Sequence, residues 1–262
     1  MRGGDCYLIM LLAIDIGNTN VVIGLFKGNK LLNYYRVATL NYQTKDEVGI
    51  LLRHLVGKAQ IEDVILCSVV PPLTPIYQKG CEKYFRKTPL VVTSDLPLGI
   101  KILYEDPRQV GADRLANAVA AYKFFGGPTI VVDLGTATTF DVVSEKGEYL
   151  GGAIAPGIEI SSSYLFQKAA QLFKVRFEKP KDIIGKNTEE SLKSGILYSA
   201  VGGIDEVVKR ICKKLKGKVK VIATGGLAEL IFSESETIQK TVPTLTLEGL
   251  KIIYDNLKKI KK

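Results

Sequence analysis

The sequence predicts an α/β protein of two related domains, each a mixed sheet flanked by helices. Three observations carry that prediction: an internal echo of domain scale, an alternation of strand-like and helix-like segments after each copy, and a breaker cluster between the copies.

The echo is direct. Leu11 to Val37 reads LLAIDIGNTNVVIGLFKGNKLLNYYRV, and Thr129 to Ile154 reads TIVVDLGTATTFDVVSEKGEYLGGAI. Each copy opens with an apolar run ending in Asp-apolar-Gly, Asp15-Ile16-Gly17 and Asp133-Leu134-Gly135. Small polar residues follow, then a second apolar run, then a Gly-containing turn into a third (Lys27-Gly28-Asn29 and Glu145-Lys146-Gly147). Strand, turn, strand, turn, strand is the natural reading of each triplet. The two aspartates stand about 118 residues apart, which is the spacing of domains and not of solenoid repeats.

After the first triplet the pattern predicts a helix over Lys45–Lys58 and a buried strand over Val64–Val69. A helix over Leu73–Arg86 after Pro71-Pro72 and a short strand over Leu90–Val92 come next. Leu115, Val119, Tyr122 and Phe125 mark the apolar stripe of a further helix, with Asp113 and Arg114 at its first turn. After the second triplet come helices near Ile158–Phe173 and Thr188–Lys216 and a strand over Val219–Ala223. A helix from Gly225 and a terminal helix from Leu247 complete the chain. Phe125-Gly126-Gly127-Pro128 separates the halves, giving an N-terminal domain over 10–125 and a C-terminal domain over 126–262.

Composition narrows the function classes. A chain of 262 residues with 46% hydrophobic and 24% charged residues is neither disordered nor fibrous. The net charge of +9 is spread along the chain and interleaved with acids, with dense lysine runs only at 213–218 and 258–262. That distribution argues against a nucleic-acid stripe. Cys6, Cys67, Cys81 and Cys212 lack metal-ligand spacing, and with His54 alone beside them they build no ordinary zinc site. They read as buried or partly buried thiols of a reducing compartment. His54 reads as a helix surface or packing residue. No segment reaches the roughly 18 continuous apolar residues of a membrane span. Met1 to Met10 is too short for a signal peptide, and either methionine suits a start.

The chemistry sits at the turns. A hairpin offering backbone N–H groups makes a concave anion site, and glycine lets backbone approach closely. Asn18, Thr19, Thr136 and Thr138 add side-chain donors. An aspartate at a strand end suits a Mg²⁺ that itself bridges phosphate oxygens. Two such hairpins facing across a cleft would hold a polyphosphate from both sides, whereas a single Asp-x-Gly is equally a plain turn. Ala223-Thr224-Gly225-Gly226-Leu227-Ala228 adds a strand–Gly-Gly–helix turn whose helix start faces anions. Gly111-Ala112-Asp113-Arg114 opens a helix. Asp113 is either a simple N-cap or the acceptor of a hydroxyl proton, and Arg114 either pairs with an acid or clamps a substrate carboxylate.

Taken together, these strings resemble the type III pantothenate kinases, of the acetate kinase, sugar kinase, Hsp70 and actin superfamily. The resemblance runs from Met10 over nearly the whole chain. It rests on DIGNTNVVIG (15–24), GADRLANAVAAY (111–122), VVDLGTATTFDVV (131–143), GGAIAPGI (151–158) and ATGGLA (223–228). It implies two actin-like, ribonuclease H-like domains with a nucleotide cleft between them, and phosphorylation of pantothenate by ATP. It implies ATP contacts at Asp15, Ile16, Gly17, Asn18, Thr19, Asn20, Val21, Val22 and Thr136, with Asp15 near Mg²⁺. It implies a pantothenate site at Tyr104, Gly111, Ala112, Asp113 and Arg114, with Asp113 as proton acceptor and Arg114 on the substrate carboxylate. Asp133 looks like the ligand of an activating K⁺ or NH₄⁺, and Thr188 like a residue reaching the partner subunit's pantothenate pocket. A cytoplasmic homodimer with no nucleic-acid or membrane partner follows from the same resemblance. Two alternatives stay open on sequence: a kinase of this fold for another small acid or sugar, and a transcriptional accessory factor.

Overall fold

The computed structural model describes residues 9–260. Cys6, the alternative start at Met1 and the last two lysines of the terminal run lie outside the described residues. The chain divides into two compact units. One runs to Ala120 and takes up the chain again from Leu245; the other is Ala121–Thr244.

The first unit opens with β1 (Ile9–Ile16), β2 (Asn20–Lys27) and β3 (Lys30–Ala38), the antiparallel triplet that the echo predicts. Helix α1 (Lys45–Val56) starts at a capping box. Thr44 accepts from the Glu47 N–H, and Glu47 reaches back to the Thr44 N–H. Then come β4 (Gln60–Ser68), α2 (Thr74–Phe85) and β5 (Leu90–Val91), with β4 parallel to β1 and β5 parallel to β4. The sheet order is β3-β2-β1-β4-β5. A short strand β6 (Lys101–Ile102), a single 3-10 turn (Pro107–Gln109) and helix α3 (Ala112–Phe125) follow.

The second unit repeats the plan. Strands β7 (Thr129–Leu134), β8 (Ala137–Val143) and β9 (Glu148–Pro156) form the second antiparallel triplet. Helices α4 (Ile158–Lys168) and α5 (Thr188–Cys212) lead to β10 (Lys220–Gly225), which pairs parallel with β7. Helix α6 (Ala228–Phe232) and β11 (Lys240–Thr241), parallel to β10, complete it. Among the strands of this unit the order is β9-β8-β7-β10-β11, which matches that of the first unit strand for strand; the sheet as a whole has six strands. The repeat read in the triplets therefore extends to the whole five-strand topology. Leu197, Val201, Ile204 and Val208, at helical spacing on α5, cover Ile130, Val132, Phe140 and Val221 in the core of this unit. Asp205 on the same helix accepts hydrogen bonds from the Ser235 and Thr237 hydroxyls and from the N–H groups of Glu236 and Thr237, pinning the segment between α6 and β11.

The division differs from the expected 10–125 and 126–262 in two places. It falls within α3, after Ala120, and the last helix α7 (Leu245–Ile260) belongs to the first unit. The cause is the stripe on α7. Leu247, Leu250, Ile253, Tyr254 and Leu257 are buried, and Leu247 lies over Gly24 of β2. Strand alternation explains why the sheet needs that cover. Leu12, Ile14 and Ile16 of β1 point to the α1–α2 side, so Leu11, Ala13 and Asp15 point to the other face. A sheet buried on both faces needs helices on both, and each large side chain so covered contributes about 1.5–3 kcal/mol. Tyr254 donates to Asp63, and Lys258 pairs with Glu62 at 2.8 Å and Asp63 at 3.1 Å, tying α7 to β4.

Candidate active site

In the first unit, Asp15 stands at the carboxyl end of β1, where open α/β sheets present ligand sites. The turn that follows is held from several sides. Gly17 N–H donates to Asn20 O at 3.0 Å, Val69 N–H donates to Ile16 O at 3.0 Å, and Thr39 holds the tip twice. The Thr39 hydroxyl donates to Gly17 O at 2.7 Å and its N–H donates to Thr19 O at 2.9 Å. The family-implied contact run from Asp15 to Val22 thus separates into parts. Ile16 and Val21 are fully buried and can meet a ligand only through backbone, while Asn18 and Thr19 at the tip are exposed. The Gly17 N–H is spent inside the turn, so the successive backbone donors expected from sequence reduce to the tip.

The parallel register of β1 and β4 sets Asp15 opposite Cys67. The Cys67 thiol is buried and donates to Asp15 Oδ1 at 3.2 Å. Burial first, then the charges of Asp15 and Asp113, push this thiol well above its ordinary range, so it stays a neutral donor. Past β4, the Gly111–Arg114 corner lies over the strand end. A Cβ on Gly111 would sit 3.4 Å from Val69 and 2.5 Å from the Asp113 carboxylate, so only glycine leaves Asp113 this position.

Asp113 lies inside the first turn of α3, since the helix begins at Ala112. Its Oδ1 accepts from the Arg114 N–H at 2.7 Å. Burial raises its pKa from the ordinary value, against the pull of that N–H and of the Arg114 charge. A carboxyl raised in this way is a stronger proton acceptor when ionised than an ordinary carboxylate. Arg114 is itself 8% exposed. Asp15, Cys67, Gly111, Asp113 and Arg114 therefore gather at one end of one sheet. Tyr104 is half-buried in the segment ahead of the 3-10 turn.

In the second unit the counterpart turn is shorter by one residue. Asp133 ends β7 and the Gly135 N–H donates to Ala137 O at 3.1 Å. Register sets Asp133 beside Thr224 and Leu134 beside Gly225 on β10, which brings the Gly-Gly turn against the Asp-x-Gly turn. Glycines do the packing here. A Cβ on Gly225, at φ +95°, would lie 2.6 Å from the Leu134 backbone and 2.7 Å from Asp133 Oδ1. A Cβ on Gly157 would lie 2.2 Å from Thr136 O. Thr136 is half-buried at the tip, and Thr188 is exposed at the first position of α5, capped by Asn187.

Sequence reasoning missed Cys67, Thr39 and Gly157. Cys67 was readable only as a buried thiol, because its neighbour in space stands 52 residues away in sequence. Among the described residues no three His, Cys, Asp or Glu side chains form a metal-holding group, and no helix is long and apolar enough to cross a membrane. Mg²⁺ fits this donor set as a partner of nucleotide, since it commonly takes one or two carboxylates and completes its shell with phosphate and water.

Solved structures share the fold. The ethanolamine utilization protein EutJ from Carboxydothermus hydrogenoformans matches with TM-score 0.55 at 14% identity, over 92% of this chain and 89% of that one. A ROK family glucokinase from Streptomyces griseus, in complex with glucose and AMPPNP, matches with TM-score 0.50 at 14% identity, over 92% and 97%. Two repeated units of this topology, with an Asp-x-Gly turn in each, define an actin-like fold. Residues 11–210 match the family model described as type III pantothenate kinase. The type III pantothenate kinase of Myxococcus xanthus (strain DK1622) is 50% identical over 94% of this chain and 98% of its own length, and that of Moorella thermoacetica is 48% identical over 94% and 99%. The chain belongs to the type III pantothenate kinase family.

Proposed function

We propose how this chain carries out its family's reaction, the ATP-dependent phosphorylation of pantothenate to 4′-phosphopantothenate at the start of coenzyme A synthesis. The observation that carries the reading is the gathering of Asp15 and Asp113 at the same end of the first unit's sheet, with Cys67 in the field of both. Asp113 accepts the proton of the 4′-hydroxyl as that oxygen attacks the γ-phosphorus and the bond to ADP breaks. Its raised pKa supports the role. The fork of Arg114 suits the pantothenate carboxylate, with Tyr104, Gly111 and Ala112 around the acceptor.

On the donor side, the tip and backbone of the turn from Asp15 to Val22 would meet the phosphates, and Thr136, at the tip of the second unit's own turn, is the further ATP contact in this reading. Asp15 would hold Mg²⁺, which supplies charge neutralisation at the phosphate oxygens. Asp133 Oδ1 lies beside the two glycines Gly135 and Gly225, and as a hard oxygen donor at a strand end it is the ligand this reading assigns to K⁺ or NH₄⁺.

A homodimer is supported by the apolar surface that the second unit leaves uncovered. Ile154, Ile160, Tyr164, Phe173, Ile183 and Ile184 are half or more exposed. Thr188 is itself exposed, a few residues after Ile183 and Ile184 in the chain. A cytoplasmic setting agrees with free thiols at Cys67, Cys81 and Cys212. Coupled ADP release with pantothenate, run with and without K⁺, tests the reading. Release that depends on pantothenate and rises with K⁺ is expected; release indifferent to pantothenate overturns it. Light scattering of Tyr164→Glu tests the dimer, with a shift to monomer expected.

A further inference from the structure

A strand register does more than align backbones. It decides which side chains meet across the ladder. Parallel pairing of β1 and β4 matches Asp15 with Cys67, and both project to the same face, beside Ala13 and Ile65. At that place the first unit has a fully buried thiol whose hydrogen points at Asp15 Oδ1, 3.2 Å away.

We infer that Cys67 is a positioning residue for the phosphoryl transfer: its S–H group holds Oδ1 of the Asp15 carboxylate and so sets the orientation in which Asp15 would meet the nucleotide's metal. Three features of the site support this role. First, a carboxylate at a strand end can rotate about its side-chain torsions, and Mg²⁺ demands near-octahedral placement of its ligands. A donor on one oxygen narrows that freedom. Second, the donor costs the site little charge. A lysine or arginine there would compete with the metal for the carboxylate, whereas a neutral thiol is a weak donor and leaves the negative charge in place. Third, the second unit places Thr224 at the matching register position, beside Asp133. A short side chain with a hydrogen-bonding atom thus recurs opposite each aspartate, and the identity of the atom differs between the two turns.

The inference rests on the reading of Asp15 as the metal-side carboxylate, and its test separates the two. A purely packing role for Cys67 predicts the opposite pattern of substitutions from a donor role. Valine fills the site without a donor; serine keeps a donor and loses volume. Turnover of Cys67→Ser is expected within about threefold of wild type, and that of Cys67→Val down about tenfold, at unchanged KM for pantothenate. The concentration of Mg²⁺ needed for half-maximal rate rises for the valine variant alone. A second readout needs no turnover: Mn²⁺ binding in the presence of ADP, followed by electron paramagnetic resonance, weakens for Cys67→Val and is retained for Cys67→Ser.

The hydrogen bond itself is read from the infrared S–H band of Cys67, assigned by subtracting the spectrum of Cys67→Ala. Asp15→Asn should shift that band. An unshifted band, or a valine variant that matches wild type while serine fails, overturns the inference. Should both Ser and Val variants fail to fold, the band shift alone decides. If Asp15→Asn shifts the band yet keeps wild-type turnover, the thiol contact stands and the metal-side reading of Asp15 falls.

Discussion

The two Asp-x-Gly turns share a topology and differ in how they are held. In the first unit, side chains do the work: the Thr39 hydroxyl grips Gly17 O, and the Cys67 thiol grips Asp15. In the second unit, backbone closeness does it. Gly157 and Gly225 sit where any Cβ would strike the Thr136 or Leu134 backbone. A turn held by side-chain donors fixes the orientation of its aspartate. A turn held by glycines brings backbone segments together, with Gly225 against Leu134 and Gly157 against Thr136. The contrast is the one expected if the proposed roles hold, with Asp15 toward Mg²⁺ and Asp133 toward a monovalent cation.

Substitutions should break this contrast in order of size. Asp15→Asn is expected to lower kcat by about two to three orders of magnitude at any K⁺ concentration. Asp133→Asn should act mainly by raising the K⁺ needed, measured as rate against K⁺ in the same assay. Equal K⁺ dependence in both variants would remove the distinction between the turns.

Gly225→Ala should destabilise the second unit by about 3 kcal/mol in denaturant unfolding, since it combines a left-handed backbone with a Cβ inside backbone contact distance. Its register counterpart in the first unit is Ser68, because Ile16 pairs with Ser68 as Leu134 pairs with Gly225. Ser68→Ala loses only the hydroxyl that accepts from the Val70 N–H at 3.1 Å, for about 1 kcal/mol. Comparable losses for the two would contradict the view that the Gly225 position depends more on backbone closeness than its counterpart in the first unit. The smallest effect is expected for Thr39→Ala, a rise of a few-fold in KM for ATP, roughly the worth of one hydrogen bond, with KM for pantothenate unchanged.

These predictions follow from parts of the molecule that differ in how legible they were. The triplets and their turns were readable because strand alternation and Gly-containing turns are local signals, and the family strings then named the acceptor corner. The allegiance of α7 was not readable. Its apolar stripe announces that it covers something, but which sheet it covers is settled by packing against Gly24, over two hundred residues earlier in the chain. The pairing of Cys67 with Asp15 was hidden for the same reason, since parallel register has no sequence signature. Asp113 was placed correctly at the first turn of α3, yet its burial, which raises its pKa, comes from the fold around it.

That burial gives the account its most direct test. Between the ordinary carboxylate value of 3.8 and the raised value in the fold, the folded chain binds a proton that the unfolded chain has released. Stability contributed at Asp113 therefore falls as pH rises through that window, while the ionised base and with it kcat/KM rises. Asp113→Asn keeps an acceptor for the Arg114 N–H and removes both effects. The measurement is coupled ADP release by Asp113→Asn with pantothenate across pH, beside its unfolding midpoint at neutral pH. The expected result is turnover at least about 100-fold below wild type with a midpoint no lower than wild type. Wild-type turnover by that variant would contradict the assignment of Asp113 as the proton acceptor.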